Sequence, residues 1–438
     1  MMHWDQLLNT ERYGHSALPL KEMGRSFFHK DYDRIVFSPA FRRLAGKTQV
    51  HPLAFDDHTH NRLIHSVEVG SVGRSLGIRI GEQLREQLPK GIKPDDLGVI
   101  VQSACLAHDI GNPPFGHAGE YAIRAFFQQP SVQPWLHALT EPERLDLQTF
   151  EGNAQGFRLA TNIEYHLFDG GLRLTWPTLG ALMKYPWTVE HANDKGKFGC
   201  YQQEKDILTR VGKRLGLVQV SEYQWARHPL SYLMEAADDT CYALIDLEDA
   251  VALDLLTYEE VSQVMLRICA SFNIDMEEID REASPSRKLA ALRGKTIEVI
   301  ITEVVRAFVR NHELIMRGAF SNDLLHYCSD NVKNGIAEAK QLAYERVFLD
   351  THKMESEIGA HDTIATILSA FIGAGFELAE KGDAGLSFRN HRILKYMRHE
   401  APEAGWTHYA IYMRILDFVS SMSDHYAKHL ASVLRGYG

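Results

Sequence analysis

Apolar residues recur every three or four positions through most of the chain, and strict apolar–polar alternation is scarce. This spacing places apolar side chains along one face of an α-helix, so the pattern predicts an all-α protein. Helices are expected at residues 62–84, 97–107, 117–127, 229–251, 258–271, 288–311, 361–380 and 407–434. One short segment, residues 171–176 after a Gly-Gly turn signal, predicts at most a small β-hairpin.

Four polar segments between these helices are expected to be loops: residues 51–61, 186–204, 276–287 and 381–390. None of them predicts an interdomain linker. We therefore expect one helical domain over residues 1–438, with its core at about residues 60–250. A helical subdomain over residues 290–438 is the alternative division.

Composition narrows the class of protein. The formal net charge is −10, whereas proteins that coat nucleic acid are usually basic, so an anionic ligand needs a local basic pocket. The five cysteines are scattered and form no CxxC pair, which fits a reducing compartment. The chain starts without an apolar signal segment and holds no run of about 20 apolar residues, so we expect no membrane span and a cytoplasmic location.

The segment CLAHDIGNPPFGHAGE, residues 105–120, is the richest in chemistry. His108 and Asp109 lie where an apolar helix ends, because glycines and prolines follow at once. His117 begins the next helix, with Glu120 one turn later. A neutral imidazole beside a carboxylate suits a divalent first-row metal. Taken alone, such a pair is more often a hydrogen-bonded pair at a helix end.

A second histidine lies on the helix that starts near residue 62. His65, Val69, Val72 and Leu76 form one stripe, which predicts that His65 is buried. A lone histidine there is more often structural than a ligand. Arg62, one turn earlier on nearly the same face, is harder to explain by packing and suits phosphate oxygens.

A row of polar residues lies along one face of the helix predicted at residues 229–251. Asp238, Tyr242 and Asp246 are spaced i, i+4 and i+8 beside an apolar stripe. Carboxylates at the edge of a core are costly unless partnered, so the row indicates either a site or a set of caps and ion pairs. Three neighbouring acids are expected to point to solvent: Asp239, Glu248 and Asp249.

Together, His65, the pair His108-Asp109 and the distant Asp238 resemble the H…HD…D signature of the HD superfamily of metal-dependent phosphohydrolases. Blocks along most of the chain resemble one branch of it, the deoxyguanosinetriphosphate triphosphohydrolase family. These blocks are LAGKTQV (44–50), HNRLIHSVEV (60–69), AHDIGNPPFGHAGE (107–120), FEGNAQGFR (150–158), LTWPTLGALMKYPW (174–187), EAADDTCYALIDLEDA (235–250) and DFVSSMSDHYA (417–427).

The resemblance implies an all-α HD core with additional C-terminal helices, and it implies roles for individual residues. The metal ligands are expected to be His65, His108, Asp109 and Asp238. His117 and Glu120 correspond to the catalytic pair. The expected substrate contacts are Gln49, Arg62, Asn112, Lys184, Tyr185, Tyr242 and Asp246.

The implied activity is hydrolysis of deoxynucleoside triphosphates at the α-phosphate, which yields a deoxynucleoside and inorganic triphosphate. The implied cofactor is one divalent metal ion per active site: Mn, Mg, Fe, Co or Zn. Because the chain is shorter than the longest family members, we expect deoxynucleoside triphosphates in general and not dGTP alone. The resemblance also implies a homo-oligomer, a hexamer or a tetramer, with a deoxynucleotide or single-stranded nucleic acid as effector.

Two other functions stay open at this point. Another HD-type phosphatase or phosphodiesterase would release orthophosphate or a monophosphate, and a non-catalytic nucleotide sensor would bind without turnover. A structural zinc site is disfavoured because the ligands are far apart in sequence and include no thiolate. Some neighbouring residues are interpreted as solvated or as loop contacts: His51, His58 and His60. Others could serve substrate, effector or surface: Arg42, Arg43 and Lys47.

Overall fold

The structure of the protein, a computed structural model, describes residues 1–14, 24–49, 60–164 and 170–437. Those residues form nineteen α-helices and one antiparallel two-stranded sheet, which confirms the all-α prediction. The helices are α1 Trp4–Leu7, α2 Phe27–Val36, α3 Pro39–Arg43, α4 Arg62–Gln83, α5 Pro94–Ala107, α6 Gly116–Gln128, α7 Glu141–Gln148, α8 Gly152–Arg158, α9 Trp176–Leu182, α10 Lys205–Leu215, α11 Pro229–Ala252, α12 Tyr258–Ile268, α13 Met276–Asp280, α14 Pro285–Met316, α15 Asp330–Ala343, α16 Thr351–Lys381, α17 Phe388–Tyr396, α18 His408–Ser420 and α19 Asp424–Leu434; the strands are β1 Gln219–Ser221 and β2 Gln224–Trp225.

Three sequence predictions about elements are corrected. The helix expected at 407–434 is two helices, because the Ser423 hydroxyl accepts from Tyr426 N at 3.2 Å and starts α19. Residues 171–176, all in the described part of the chain, form no hairpin; the small hairpin is β1–β2. The loop expected at 276–287 contains α13, and α14 already begins at Pro285, a residue favoured in the first helical turn.

Helices α4 and α5 pack closely because glycines on α4 leave room for the neighbouring helix. A Cβ atom added to Gly73 would lie 2.5 Å from Cys105 Sγ, and one added to Gly77 would lie 2.6 Å from Leu97 O. One added to Gly81 would lie 2.5 Å from Pro94 Cα. Since nothing larger than hydrogen fits at these points, the backbones of the two helices touch. This contact fixes the helix that bears His65 against the helix that leads to the HD pair. Helix α11 packs on both of them.

Buried apolar residues form two clusters. One includes α4, α5, α11 and α14, and the other is built around α16 with α6, α18 and α19. Residues Lys353–Lys381 are long and apolar enough to cross a membrane by length and composition alone. In the structure 56% of an 18-residue window within this segment is buried, and the helix packs against α6, α17, α18 and α19 as a core helix does. The number of domains stays a prediction.

The five cysteines are buried, and they are free, which agrees with the absence of a CxxC pair in the sequence.

Candidate active site

His65 and His108 lie near the ends of two helices. Asn61 caps α4 by accepting from Ile64 N at 3.1 Å, so Arg62 and His65 lie in the first turns of that helix, both buried. At the end of α5, His108 Nδ1 lies 2.6 Å from the carbonyl oxygen of Cys105. A carbonyl only accepts, so Nδ1 carries the proton and Nε2 is left as a potential metal ligand.

The four residues expected to hold a metal converge. Asp238 Oδ1 lies 3.2 Å from His65 Nε2 and 3.4 Å from His108 Nε2, and His108 Nε2 lies 3.4 Å from Asp109 Oδ1. One ligand atom from each of His65, His108 and Asp109 lies within 4.8 Å of the others. Two imidazole nitrogens and two carboxylates, drawn together from three helices or helix ends, form a donor set that fits a divalent metal ion.

The charges of this cluster also call for a cation. Burial raises the pKa of Asp109, but His108 and Arg62 outweigh it and hold that pKa at about 2. Burial lowers the pKa of His108, but Asp109 and Asp238 outweigh it and raise that pKa to about 9. Burial likewise opposes ionisation of the half-buried Asp238, but His108 and His65 hold its pKa well below the usual value. Both carboxylates therefore stay ionised and need positive charge beside them. A divalent ion would meet this need in the place of a proton on His108.

His117 and Glu120 form a second pair close to the metal-ligand cluster. The His117 ring donates from Nδ1 to Glu120 Oε2 at 3.0 Å, and its side chain is 72% exposed. Glu120 is buried, and its other oxygen accepts from Gly152 N at 2.7 Å. Burial would raise the pKa of Glu120, but the hydrogen bond and charge of His117 hold it at about 2. The arrangement of a fixed carboxylate and an accessible imidazole suits proton transfer.

The loop between His108-Asp109 and His117 is held by hydrogen bonds from segments that are distant in sequence. Lys47 Nζ, almost fully buried, donates to Asn112 O at 2.6 Å and to Ser420 O at 2.7 Å. The carboxylate of Asp424 accepts from Phe115 N at 2.8 Å and from Thr48 N at 3.0 Å. Lys47 is thus not a surface residue, and its burial, with Arg43 nearby, lowers its pKa to about 7.

A cavity of about 570 Å³ brings together all but one of the predicted site residues. Those that line it are Gln49, Arg62, His65, His108, Asp109, Asn112, His117, Glu120, Lys184, Tyr185, Asp238 and Tyr242. The exception is Asp246, which lies buried one turn beyond Tyr242 and outside the cavity lining. Gln49 Oε1 is buried and accepts no hydrogen bond from any described residue, so it is available to a ligand.

The sequence patterns missed one wall of this cavity, which residues 344–357 supply. The Tyr242 ring stacks on Phe348 with ring centroids 5.9 Å apart at 22°, and Lys353 Nζ lies 3.7 Å from the Phe348 ring centroid. Burial lowers the pKa of Lys353 to about 8. Phe348 ends a π-helical turn, Tyr344–Phe348, whose irregular spacing hides it from a search for helical periodicity.

The three acids expected to point to solvent are all partnered. Asp249 is buried, and its Oδ1 lies 2.5 Å from Nδ1 of the half-buried His60, so the two residues pair at the edge of α11. Asp239 pairs with Lys340 at 3.2 Å, and Glu248 pairs with Arg293. The expectation for Asp249 was therefore wrong. His51 and His58 lie outside the described residues.

Comparison with known proteins places this site in a class. The model of the HD domain family matches residues 62–148, the segment that carries His65, the pair His108-Asp109 and the pair of His117 with Glu120. The chain is therefore an HD-domain protein, and His65, His108 and Asp109 lie in the matched segment. We call these three residues, together with Asp238 beyond that segment, the HD centre.

Full-length relatives narrow the class to a family. A deoxyguanosinetriphosphate triphosphohydrolase-like protein of Pseudomonas aeruginosa is 49% identical over 99% of both chains. Proteins of the same description from Synechocystis and Listeria monocytogenes are 37% and 30% identical, again over at least 99% of each chain. The chain belongs to the deoxyguanosinetriphosphate triphosphohydrolase-like family, and it is an HD-type, metal-dependent hydrolase.

Proposed function

We propose that the protein hydrolyses deoxynucleoside triphosphates at the α-phosphorus and releases a deoxynucleoside and inorganic triphosphate. The observation that carries the proposal is the single cavity in which the HD centre, the His117–Glu120 pair and buried cationic side chains meet. Names of the relatives refer to a triphosphohydrolase of a deoxyguanosine nucleotide, which agrees with that assignment.

Cationic side chains in the cavity suit a triphosphate. The Arg62 guanidinium is held by Asp109 Oδ2 at 2.6 Å, and Lys184 Nζ lies 3.3 Å from Glu235 Oε1. Burial would lower the pKa of Lys184, but Glu235 outweighs it and raises that pKa, so the ammonium is charged at neutral pH. Fixed positive charges in a partly dry cavity stabilise phosphate oxygens more strongly than they would in water.

A divalent ion held by His65, His108, Asp109 and Asp238 would supply Lewis-acid polarisation of a phosphate oxygen. In the proposed reaction, water adds to the α-phosphorus and the bond from that phosphorus to the 5′-oxygen breaks. His117 donates a proton to the departing 5′-oxygen, and Glu120 holds the imidazole in place at Nδ1. The water oxygen stays in the triphosphate.

The wall formed by Tyr242 and Phe348 is proposed to receive the sugar. An aromatic face packed against C2′ leaves no room for a ribose hydroxyl, and Gln49 Oε1 offers an acceptor for a sugar hydroxyl. Asp246 was expected among the substrate contacts, and we propose that it binds the 3′-hydroxyl. For that contact it must reach past Tyr242, because it lies outside the cavity lining.

Product identification tests the function. Purified protein is incubated with each dNTP and with GTP, in Mg²⁺ or Mn²⁺, in water enriched in ¹⁸O, and products are separated by anion exchange. We expect deoxynucleoside plus triphosphate that carries the label, from dNTPs and not from GTP. Monophosphate with pyrophosphate, or diphosphate with orthophosphate, would instead favour another HD-type phosphohydrolase. Binding without turnover, with dNTP mixtures included as activators, would favour a nucleotide sensor.

Assembly and location complete the proposal. The family resemblance supports a homo-oligomer, a hexamer or a tetramer, with a deoxynucleotide or single-stranded nucleic acid as effector. Five free cysteines support a reducing compartment such as the cytoplasm. Light scattering after gel filtration, with and without each effector, measures the assembly.

A further inference from the structure

Two histidines and one glutamate from three separate segments meet at the surface beside α16. His137 lies in the turn that follows α6, Glu380 lies in the last turn of α16, and His408 is the first residue of α18. His408 Nε2 lies 2.9 Å from Glu380 Oε1, and His137 Nε2 lies 3.8 Å from the same oxygen. None of the three lines the cavity that contains the HD centre. They are therefore a second group of potential metal ligands.

The tautomer of His137 leaves a lone pair that faces this carboxylate. His137 Nδ1 lies 3.0 Å from the carbonyl oxygen of Pro134, which can only accept, so Nδ1 carries the proton. Nε2 of the neutral ring is then an acceptor, as is Glu380 Oε1. Two acceptors that face each other need a proton or a metal ion between them. A proton would serve that one nitrogen, whereas a metal ion would also bind His408.

The distances around Glu380 suit a metal ion. Zinc lies about 2.0–2.1 Å from imidazole nitrogens and about 2.0–2.2 Å from carboxylate oxygens, so two ligand atoms of a tetrahedral ion are about 3.4 Å apart. The two nitrogen–oxygen distances, 2.9 and 3.8 Å, lie on either side of that value. The ring centroids of the two histidines are 5.6 Å apart, as are those of His65 and His108. The His137 side chain is 56% exposed, so its ring can turn toward an ion.

Aromatic rings form an apolar floor beneath these ligands. The Phe376 ring centroid lies 6.1 Å from that of His137 and 5.9 Å from that of His408. Trp135 stacks on Phe376 with ring centroids 6.3 Å apart at 27°. Tyr412 donates from its hydroxyl to Trp135 O at 2.7 Å, which holds the turn that bears His137 against α18. An apolar shell of this kind limits the access of water to a bound ion.

We propose that His137, Glu380 and His408 form a second metal site, which binds Zn²⁺ with water completing the coordination. Imidazole ligands suit Zn²⁺, whereas Mg²⁺ and Mn²⁺ prefer oxygen ligands, so the site selects Zn²⁺ over those two ions. A bound ion links the turn after α6 to the end of α16 and the start of α18. It therefore stabilises the packing of these three segments. The inference goes beyond the proposed function and does not depend on it.

A count of bound ions tests the proposal. Wild type, His137→Gln, His408→Gln and the control His399→Gln are dialysed against Zn²⁺ with Mg²⁺ in excess, and zinc per chain is measured by elemental analysis. His399 is an exposed imidazole in the same half of the chain. We expect each of the two site variants to bind one Zn²⁺ fewer per chain than the wild type, and the control to bind as many. Any Zn²⁺ at the HD centre cancels in this difference, because the HD centre is the same in all four proteins. Equal zinc in all four would overturn the proposal.

A second measurement locates the ion. Crystals of the wild type soaked in Zn²⁺, with diffraction recorded just above the zinc absorption edge, should give an anomalous peak about 2.0–2.2 Å from the ligand atoms of His137, Glu380 and His408. A peak at the HD centre without one at this site would overturn the proposal. Neither experiment measures turnover. Absence of dNTP hydrolysis would therefore refute the proposed function and leave this result unaffected.

Discussion

Replacing Gly77 with alanine tests whether the close contact of α4 and α5 sets the HD centre. The new Cβ would lie 2.6 Å from Leu97 O and 2.8 Å from Gly98 Cα, where ordinary contact begins at 3.4 Å. The helices must therefore separate by about 0.8 Å, the difference between those distances. The obstructing atoms are backbone, so no side chain can rotate away.

The magnitude follows from two opposing terms. An alanine within a helix is favoured over glycine by about 1 kcal/mol, whereas overpacking in a core costs about 1–3 kcal/mol and occasionally more. Because the clash is with backbone, we take the upper end of the overpacking cost, about 3 kcal/mol, and expect Gly77→Ala to lower the free energy of unfolding by about 2 kcal/mol. His65 lies on the same helix, and metal ligands tolerate displacements of only about 0.2 Å. We therefore expect Mn²⁺ to bind at least about tenfold more weakly.

Gly294→Ala is the matched control, since no described heavy atom lies within 4 Å of its added Cβ on α14. Urea unfolding followed by circular dichroism, without metal, measures stability, and calorimetric titration measures Mn²⁺ affinity. The control should be unchanged or up to about 1 kcal/mol more stable. If both variants are equally stable and bind Mn²⁺ equally well, the argument that glycines set the spacing of the HD centre is refuted.

Four further outcomes are expected. Asp238→Asn should abolish metal-dependent hydrolysis, whereas Asp239→Asn should retain it. The reverse result would show that Asp239, and not Asp238, is the fourth metal ligand. His117→Gln should lower kcat by about 10²–10⁴-fold with KM little changed, and unchanged kcat would remove the acid role. Tyr242→Ala should raise the rate on GTP relative to dGTP in parallel assays, and an unchanged ratio would refute the sugar filter. His60, whose pKa its carboxylate partners raise from 6.5 to about 10 although burial opposes them, should stabilise the fold fully below pH 6.5 and lose that effect as pH rises through 10. Urea unfolding of His60→Gln and wild type at pH 6, 8 and 10 should show this narrowing difference, and a constant difference would contradict it.

The sequence predicted the elements whose periodicity is regular. Helices α4 and α11 begin at the positions expected, and their stripes correctly placed His65 in the interior with Asp238 at the edge of the core. The glycines and prolines after Asp109 correctly indicated where a helix stops. In each case local pattern and tertiary packing favour the same conformation, so one window of sequence is enough.

Contacts between distant segments could not be predicted. Phe348 lies in a π-helical turn and His137 in the turn after α6, and neither position stands out until the chain has folded. Asp249 was expected in solvent because the helical spacing points it outward, yet His60 reaches it from before α4. Periodicity describes one helix at a time, whereas these residues acquire their surroundings from another segment.

The hydrogen bonds that Lys47 and Asp424 make to the loop after Asp109 have a consequence for the order in which the parts of the site are synthesised. Phe115 donates to Asp424, 309 residues further along the chain, and Lys47 bridges the same loop to the end of α18. A ribosome adds residues from the N-terminus, so the four residues of the HD centre are synthesised long before the α19 carboxylate that holds the loop between His108-Asp109 and His117. The nascent chain can therefore contain all four residues before Asp424, which accepts from Phe115 N in that loop, has been synthesised.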